Sequence, residues 1–184
     1  MAPVVRHVEK ATADLVGVDE FLAGPERPGV LLIDGEVFVN DATHRHQRLC
    51  ARVFRALDRW IDSPEGHGEV GWGGNWVMGP ATVLKPDVWW MATGPGDGAR
   101  YDGPPDLAVE VLSPGTRHLD LGRKGDRYRE AGLPELWLVD HRNEMVVVRQ
   151  FATDDDAELV PGDVLTSTQL PGFELAIDAL FAGA

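Results

Sequence analysis

The chain has 184 residues, with 17 Lys and Arg against 30 Asp and Glu, and a formal net charge of −13. Its 43% hydrophobic and 26% charged residues are those of a folded globular protein, which excludes wholesale disorder. A single cysteine, Cys50, excludes an intrachain disulfide framework and any multi-cysteine metal cluster. The expected organisation is one domain over 1–184, with an N-terminal extension over 1–28 and an acidic segment over 152–184. The opening residues lack a long apolar run with a small-residue cleavage site, and no stretch approaches ~18 apolar residues. The expectation is therefore a soluble, cytoplasmic protein with no membrane contact. A charge of −13 also argues against tight nonspecific binding to nucleic acid. Seven acids and no Lys or Arg fall within 151–184, however, so the remainder carries only −6.

In chain order, GPERPG at 24–29 reads as a turn. GVLLI, Asp34-Gly35 and EVFVN then predict a β-hairpin, because that dipeptide tolerates the positive φ of a type I′ turn. A helix follows over about 45–61, capped by Asp41 or Thr43. At ~100° per residue, Arg45, Arg48, Arg52, Arg55 and Arg59 share one arc, and Leu49, Val53, Ala56, Leu57 and Trp60 share another. The apolar arc must face the core. The arginine stripe reads as a solvated face ahead of a phosphate-contacting ridge. His46 lies inside the apolar arc, so it is expected to be buried, bonded to backbone or positioning a phosphate or carboxylate.

Beyond loop signals at SPEGHG come two strand-like stretches, EVGWGGNWVMG and DVWWM, then a Gly-rich loop, TGPGDGARYDGPP. LAVEVL at 107–112 has the near-continuous apolar character of a central strand. A helix over about 119–131, Gly132 as its C-cap, and the strand ELWLVD complete a βαβ unit with parallel strands. HRNE turns the chain into MVVVRQF as an antiparallel neighbour, and the acidic remainder reads as a loop, a short strand or two and a terminal turn. The fold class is α/β: a mixed sheet flanked by helices.

Two acids stand out. Asp87 sits in KPDVWW and Glu110 in DLAVEVL, both within predicted strands. On neighbouring strands their carboxylates can converge on one divalent cation, and a hard ion such as Mg²⁺ takes oxygen donors. Glu110 interrupts an apolar strand, where an unpaired buried carboxylate is costly. Asp120, Lys124 and Tyr128 recur at four-residue intervals on one helix face. The plain alternative is an exposed Asp–Lys pair worth a few tenths of a kcal/mol. Gly122 and Gly125 weaken this helix, which fits close approach of another backbone or a ligand.

The stretch PPDLAVEVLSPGTRHLDLGRKGDRYREAGLPELWLVD closely resembles the signature of the Uma-type restriction endonuclease family, within the PD-(D/E)xK nuclease superfamily. Pro86-Asp87-Val88, the DGE of the hairpin, His46 and the late LPGFEL resemble further landmarks, so the likeness spans roughly 29–181. It implies a restriction-endonuclease-like fold with metal-binding acids on adjacent strands. Asp87 matches the motif aspartate and Glu110 the (D/E). Leu112 occupies the lysine position, and the resemblance transfers that role to Lys124 on the following helix. Asp120 and Tyr128 match auxiliary positions, and Arg117 and Arg127 are candidate substrate-binding residues. Many relatives carry an acid before the DGE turn where this chain has Leu31, leaving Glu36 as its stand-in.

The expected function is Mg²⁺- or Mn²⁺-dependent phosphodiester hydrolysis of nucleic acid, DNA ahead of RNA, with a homodimer left open as the assembly. Asp87, Glu110 and the Val111 carbonyl would hold the ion, Lys124 would orient a water or screen the phosphate, and His46 and Tyr128 would position. The runner-up is a catalytically inactive nuclease fold used for binding or regulation, favoured by the charge and the displaced lysine. A third reading pairs the same acids for glycoside hydrolysis, with the six tryptophans as a sugar platform.

Overall fold

The structure is a computed structural model that describes residues 15–26, 29–40, 42–98, 100–113 and 120–183, and of Asp120 the backbone alone. A short helix α1 (Val18–Ala23) precedes the hairpin β1 (Val30–Ile33) and β2 (Glu36–Val39). Asp34 and Gly35 take φ of 53° and 80°, the left-handed pair that a type I′ turn requires. Helix α2 spans His44–Ile61, and Thr43 caps it by accepting from the His46 N–H at 3.2 Å. Then follow β3 (Glu69–Gly71), β4 (Trp76–Gly79), β5 (Thr82–Leu84), β6 (Val88–Met91), β7 (Tyr101–Asp102) and β8 (Leu107–Val111). A π-helical turn over Asp120–Lys124 runs into α3 (Gly125–Ala131). β9 (Glu135–Asp140), β10 (Met145–Gln150), β11 (Asp155–Leu159), β12 (Val164–Leu165), β13 (Leu175–Ala176) and α4 (Ile177–Phe181) complete the chain.

The larger sheet has six strands in the order β11-β10-β9-β8-β6-β3, and only β8 and β9 in it run parallel. That parallel pair flanks the π turn and α3, as the predicted βαβ unit requires. A second sheet has the order β2-β1-β5-β4-β7, and β12 pairs β13. Strand alternation sorts the core onto two faces. Val88, Trp90, Val109, Val111, Trp137 and Val139 pack with Leu49, Val53, Leu57 and Trp60 of α2. On the reverse face Trp89, Ala108, Leu112, Leu136 and Leu138 pack with Tyr128, Leu133 and residues of the second sheet. Trp89 and Trp90 are thus both buried, one on each face.

Four expectations need correction. EVGWGGNWVMG is two strands in different sheets, because Gly73 and Gly74 turn the chain at φ of 62° and 81°. The acidic DDAEL is an edge strand, β11, where charge on the outer edge discourages further pairing and Arg149 meets Asp156 at 3.0 Å. The helix expected over 119–131 begins as a π turn, so the weakening at Gly122 appears as widened backbone, with no described atom within 4 Å of its Cβ position. Arg52 does not stand exposed with Arg48 and Arg55. It is half-buried and donates to the carbonyls of Leu180 and Ala182 at 2.7 Å each, closing the end of α4.

Candidate active site

The site forms at the open end of the parallel pair. Register pairs Val88 with Val109 across β6 and β8, and its continuation brings Asp87 alongside Glu110. Asp87 precedes the strand, so its side chain takes over the ladder. Its Oδ2 accepts the Val111 N–H at 2.7 Å and lies 3.0 Å from His46 Nε2. The Asp87 side chain is 14% exposed, and among the described residues its Oδ1 accepts no hydrogen bond.

Glu110 turns to the other face of β8 with Ala108 and Leu112, where it is 1% exposed. Lys124 Nζ donates to its Oε2 and Tyr128 OH to its Oε1, each at 2.9 Å. Lys124 is likewise 1% exposed, so the alternative of a solvated surface pair does not describe it. Taking both charges out of water costs several kcal/mol per ion, and their close pairing and the tyrosine hydroxyl offset that cost. The π turn sets the lysine's approach, since widened turns re-aim side chains at functional sites.

His46 is buried at the N-terminal turn of α2. An ionised Asp87 can only accept, so the shared proton sits on Nε2 and leaves Nδ1 facing Cys50 Sγ at 3.4 Å. Burial pushes the Cys50 thiol up, and the Asp87 and Glu110 carboxylates push it the same way. A thiol held as S–H can donate to Nδ1 when that nitrogen carries no proton. His46, Cys50 and Asp87 each bring one ligand atom within 4.8 Å of the others. One imidazole cannot turn both edges to one ion, however, so Cys50 stands behind His46. Sequence reasoning missed Cys50, although its spacing four residues after His46 already placed both on one helix face. It also missed His141, which follows β9 and lies with Nδ1 2.8 Å from the Leu112 carbonyl. Burial pushes the His141 imidazole down.

The structure thus joins Asp87 to His46 and the Val111 N–H, and Glu110 to Lys124 and Tyr128, with the two acids at facing positions in the continued register of β6 and β8. It joins Glu36 and Arg127 elsewhere. Arg123 meets Glu36 at 3.0 Å and Asp34 at 3.1 Å, and Arg127 Nε lies 2.8 Å from Asp34 Oδ1 with a further contact to Glu130. This cluster clips the first hairpin to the helix after the motif. Arg117 and the side chain of Asp120 lie outside the described residues. Five of the six tryptophans are buried in the core, so the six rings do not form the sugar platform that the third reading requires. Among the described residues no helix is long and apolar enough to cross a membrane.

With this geometry in view, the class is that of a nuclease-like fold. The family model Uma2, described as "Putative restriction endonuclease", matches residues 18–178, and the chain belongs to that family. A crystal structure of a putative nuclease belonging to DUF820 from Anabaena variabilis superposes with a TM-score of 0.80 at 17% identity, covering 91% of this chain and 98% of that one. That likeness shows the fold. A search of curated proteins found no match.

Proposed function

We propose that this protein is a divalent-metal-dependent phosphodiesterase acting on DNA, an endonuclease that uses Mg²⁺ or Mn²⁺. The observation that carries the reading is the placement of Asp87 and Glu110 at facing register positions of adjacent strands, with Lys124 2.9 Å from Glu110 in a buried setting. The donor set fits a hard cation. Asp87 Oδ1 accepts no hydrogen bond among the described residues, and Asp87, Glu110 and the Val111 carbonyl offer the oxygen donors a hard cation takes. Asp87, Glu110 and the Val111 carbonyl would hold the ion. When bound, such a cation lowers the pKa of a water and stabilises charge on the phosphate.

The chain's own groups supply the rest. His46 and the Val111 N–H both hold Asp87 Oδ2 and so fix the carboxylate, which leaves Oδ1 as the oxygen that would bind the ion. Tyr128 fixes Glu110 in the same way. Lys124 is a preorganised cation beside the reacting phosphate, where it orients the attacking water or screens developing oxyanion charge. Arg127 receives no phosphate role, because Asp34 and Glu130 already occupy its guanidinium.

The test is a metal panel on supercoiled, linear and single-stranded DNA, with Asp87→Ala as the blank. Cleavage should appear with Mg²⁺ or Mn²⁺, vanish with chelator and be absent from the blank. Failure to cut any of the three forms would overturn the catalytic reading in favour of a nuclease-fold binding module.

A further inference from the structure

Of the six tryptophans, Trp72 alone is exposed, at 66%. The chain holds it there. Gly71 ends β3 where a Cβ would meet the Trp89 ring at 2.2 Å, so the backbone lies tight on that indole. Gly73 and Gly74, at positive φ, then turn the chain away directly after Trp72. The Gly73 N–H donates to the Pro86 carbonyl at 2.9 Å, and Trp76 Nε1 donates to the Gly73 carbonyl at 3.0 Å. The loop is thereby tied to the residue that precedes Asp87. The Trp72 ring leans on Phe54 of α2, with centroids 4.4 Å apart and planes at 46°, and leaves most of the indole to solvent.

Its place relative to the site follows from register. β3 pairs β6 with Gly71 opposite Trp89, the next step sets Trp72 beside Val88, and the Gly73 N–H reaches the carbonyl of Pro86, the residue before Asp87. Neighbouring strands are ~4.8 Å apart. On α2, His46, Cys50 and Phe54 recur every four residues and share one face. The Trp72–Phe54 contact is therefore eight residues, about 12 Å, along the helix from the His46–Asp87 contact.

Building on the nuclease reading, we infer that Trp72 is a stacking platform for an unpaired base of the substrate strand, on the α2 side of the acid pair. The separation corresponds to fewer than about four nucleotides of stacked strand at ~3.4 Å each. Stacking suits this protein. A chain at −13 gains little from long-range attraction to phosphates, whereas every base has an apolar face and binds an aromatic ring without regard to charge or sequence. The consequence is a preference for single-stranded DNA, or duplex with an extruded base near the cut, over intact duplex.

Steady-state cleavage of a short single-stranded oligonucleotide with Mn²⁺ tests this on wild type, Trp72→Ala and Trp72→Phe. Trp72→Ala should raise KM by about five- to a hundredfold, the range found for loss of one stacked base, and leave kcat and Tm unchanged. Trp72→Phe should restore most of the loss. An abasic nucleotide scanned along the strand should weaken wild type at one position and leave Trp72→Ala indifferent there. A wild type that cuts alongside a Trp72→Ala of equal KM would overturn the platform and leave the nuclease reading standing. Equal KM with a loss of self-association in sedimentation would give the ring to a second copy instead. A wild type that neither cuts nor binds DNA would remove both readings.

Discussion

Glu110 and Glu135 are buried carboxylates on adjacent parallel strands, 1% and 0% exposed. Register sets them at opposite ends of the pair, Leu107 facing Glu135 and Glu110 facing Leu138. Glu135 accepts from Trp137 Nε1 at 2.6 Å and from the N–H and hydroxyl of Thr168 at 3.3 and 3.0 Å. Those donors are neutral, and no cation among the described residues pairs with it. Glu110 instead faces a buried lysine and a tyrosine, with the partly open Asp87 one strand away. Burial alone does not make a carboxylate a site. What separates the two is a charged partner that would be expensive to keep without a use, and a neighbouring acid with an uncommitted oxygen.

The comparison breaks most sharply at Asp87. Asp87→Asn should bring cleavage down to the rate without enzyme, since the substitution removes the charge and keeps the Val111 and His46 contacts in reach. Residual metal-dependent cutting, followed on supercoiled plasmid, would shift the site off this strand end.

Lys124→Met is the next largest effect. Loss of a preorganised cation should slow cleavage about a hundredfold, or ~3 kcal/mol. The same change strands a buried Glu110, so stability should also fall by ~3–5 kcal/mol. Adding Glu110→Gln removes the second charge. Urea titration should then show stability recovering while cleavage stays lost, which separates chemistry from folding. Recovery of both would make the pair structural.

Glu135→Gln should sharpen the contrast from the other side. Its neutral donors keep an acceptor, so the expected cost is about 1–3 kcal/mol of stability with cleavage unchanged at a temperature where the variant is folded. A large fall in cleavage by folded protein would erase the distinction between the two glutamates.

The smallest effect concerns Cys50. Its thiol is pushed up by burial and by the two acids, so thiolate is scarce even in mild alkali. Iodoacetamide at pH 8 should label native protein far more slowly than protein in urea, and Cys50→Ser should retain most cleavage. Rapid native labelling would mean that the thiol faces solvent and does not stand behind His46.

Much of this architecture is legible in the sequence. The Asp34-Gly35 turn, the α2 phase with His46 inward, and the parallel pair around the motif follow from local rules of turn chemistry and periodicity. Glu110 was visible as an acid in an apolar strand, but so was Glu135 in ELWLVD, and pattern alone cannot rank them. Their partners come from residues 14 and 33 positions away, Lys124 and Thr168, and only tertiary packing decides which donors arrive. Helical spacing put Asp120, Lys124 and Tyr128 on one face and left open whether Lys124 forms an exposed pair or turns inward, and the π turn and α3 send Lys124 and Tyr128 together onto Glu110. Arg52 left its solvated stripe because the last carbonyls of a distant helix needed a donor. Trp72 was hidden among five core tryptophans, and only exposure set it apart.

The most direct measurement is Mn²⁺ binding to the full chain, followed by calorimetry on wild type, Asp87→Asn and Glu135→Gln. The expected result is Mn²⁺ binding to wild type and Glu135→Gln alike, and its loss in a folded Asp87→Asn. Equal Mn²⁺ affinity in wild type and Asp87→Asn would contradict the assignment of the metal-holding site to the Asp87–Glu110 end of the sheet.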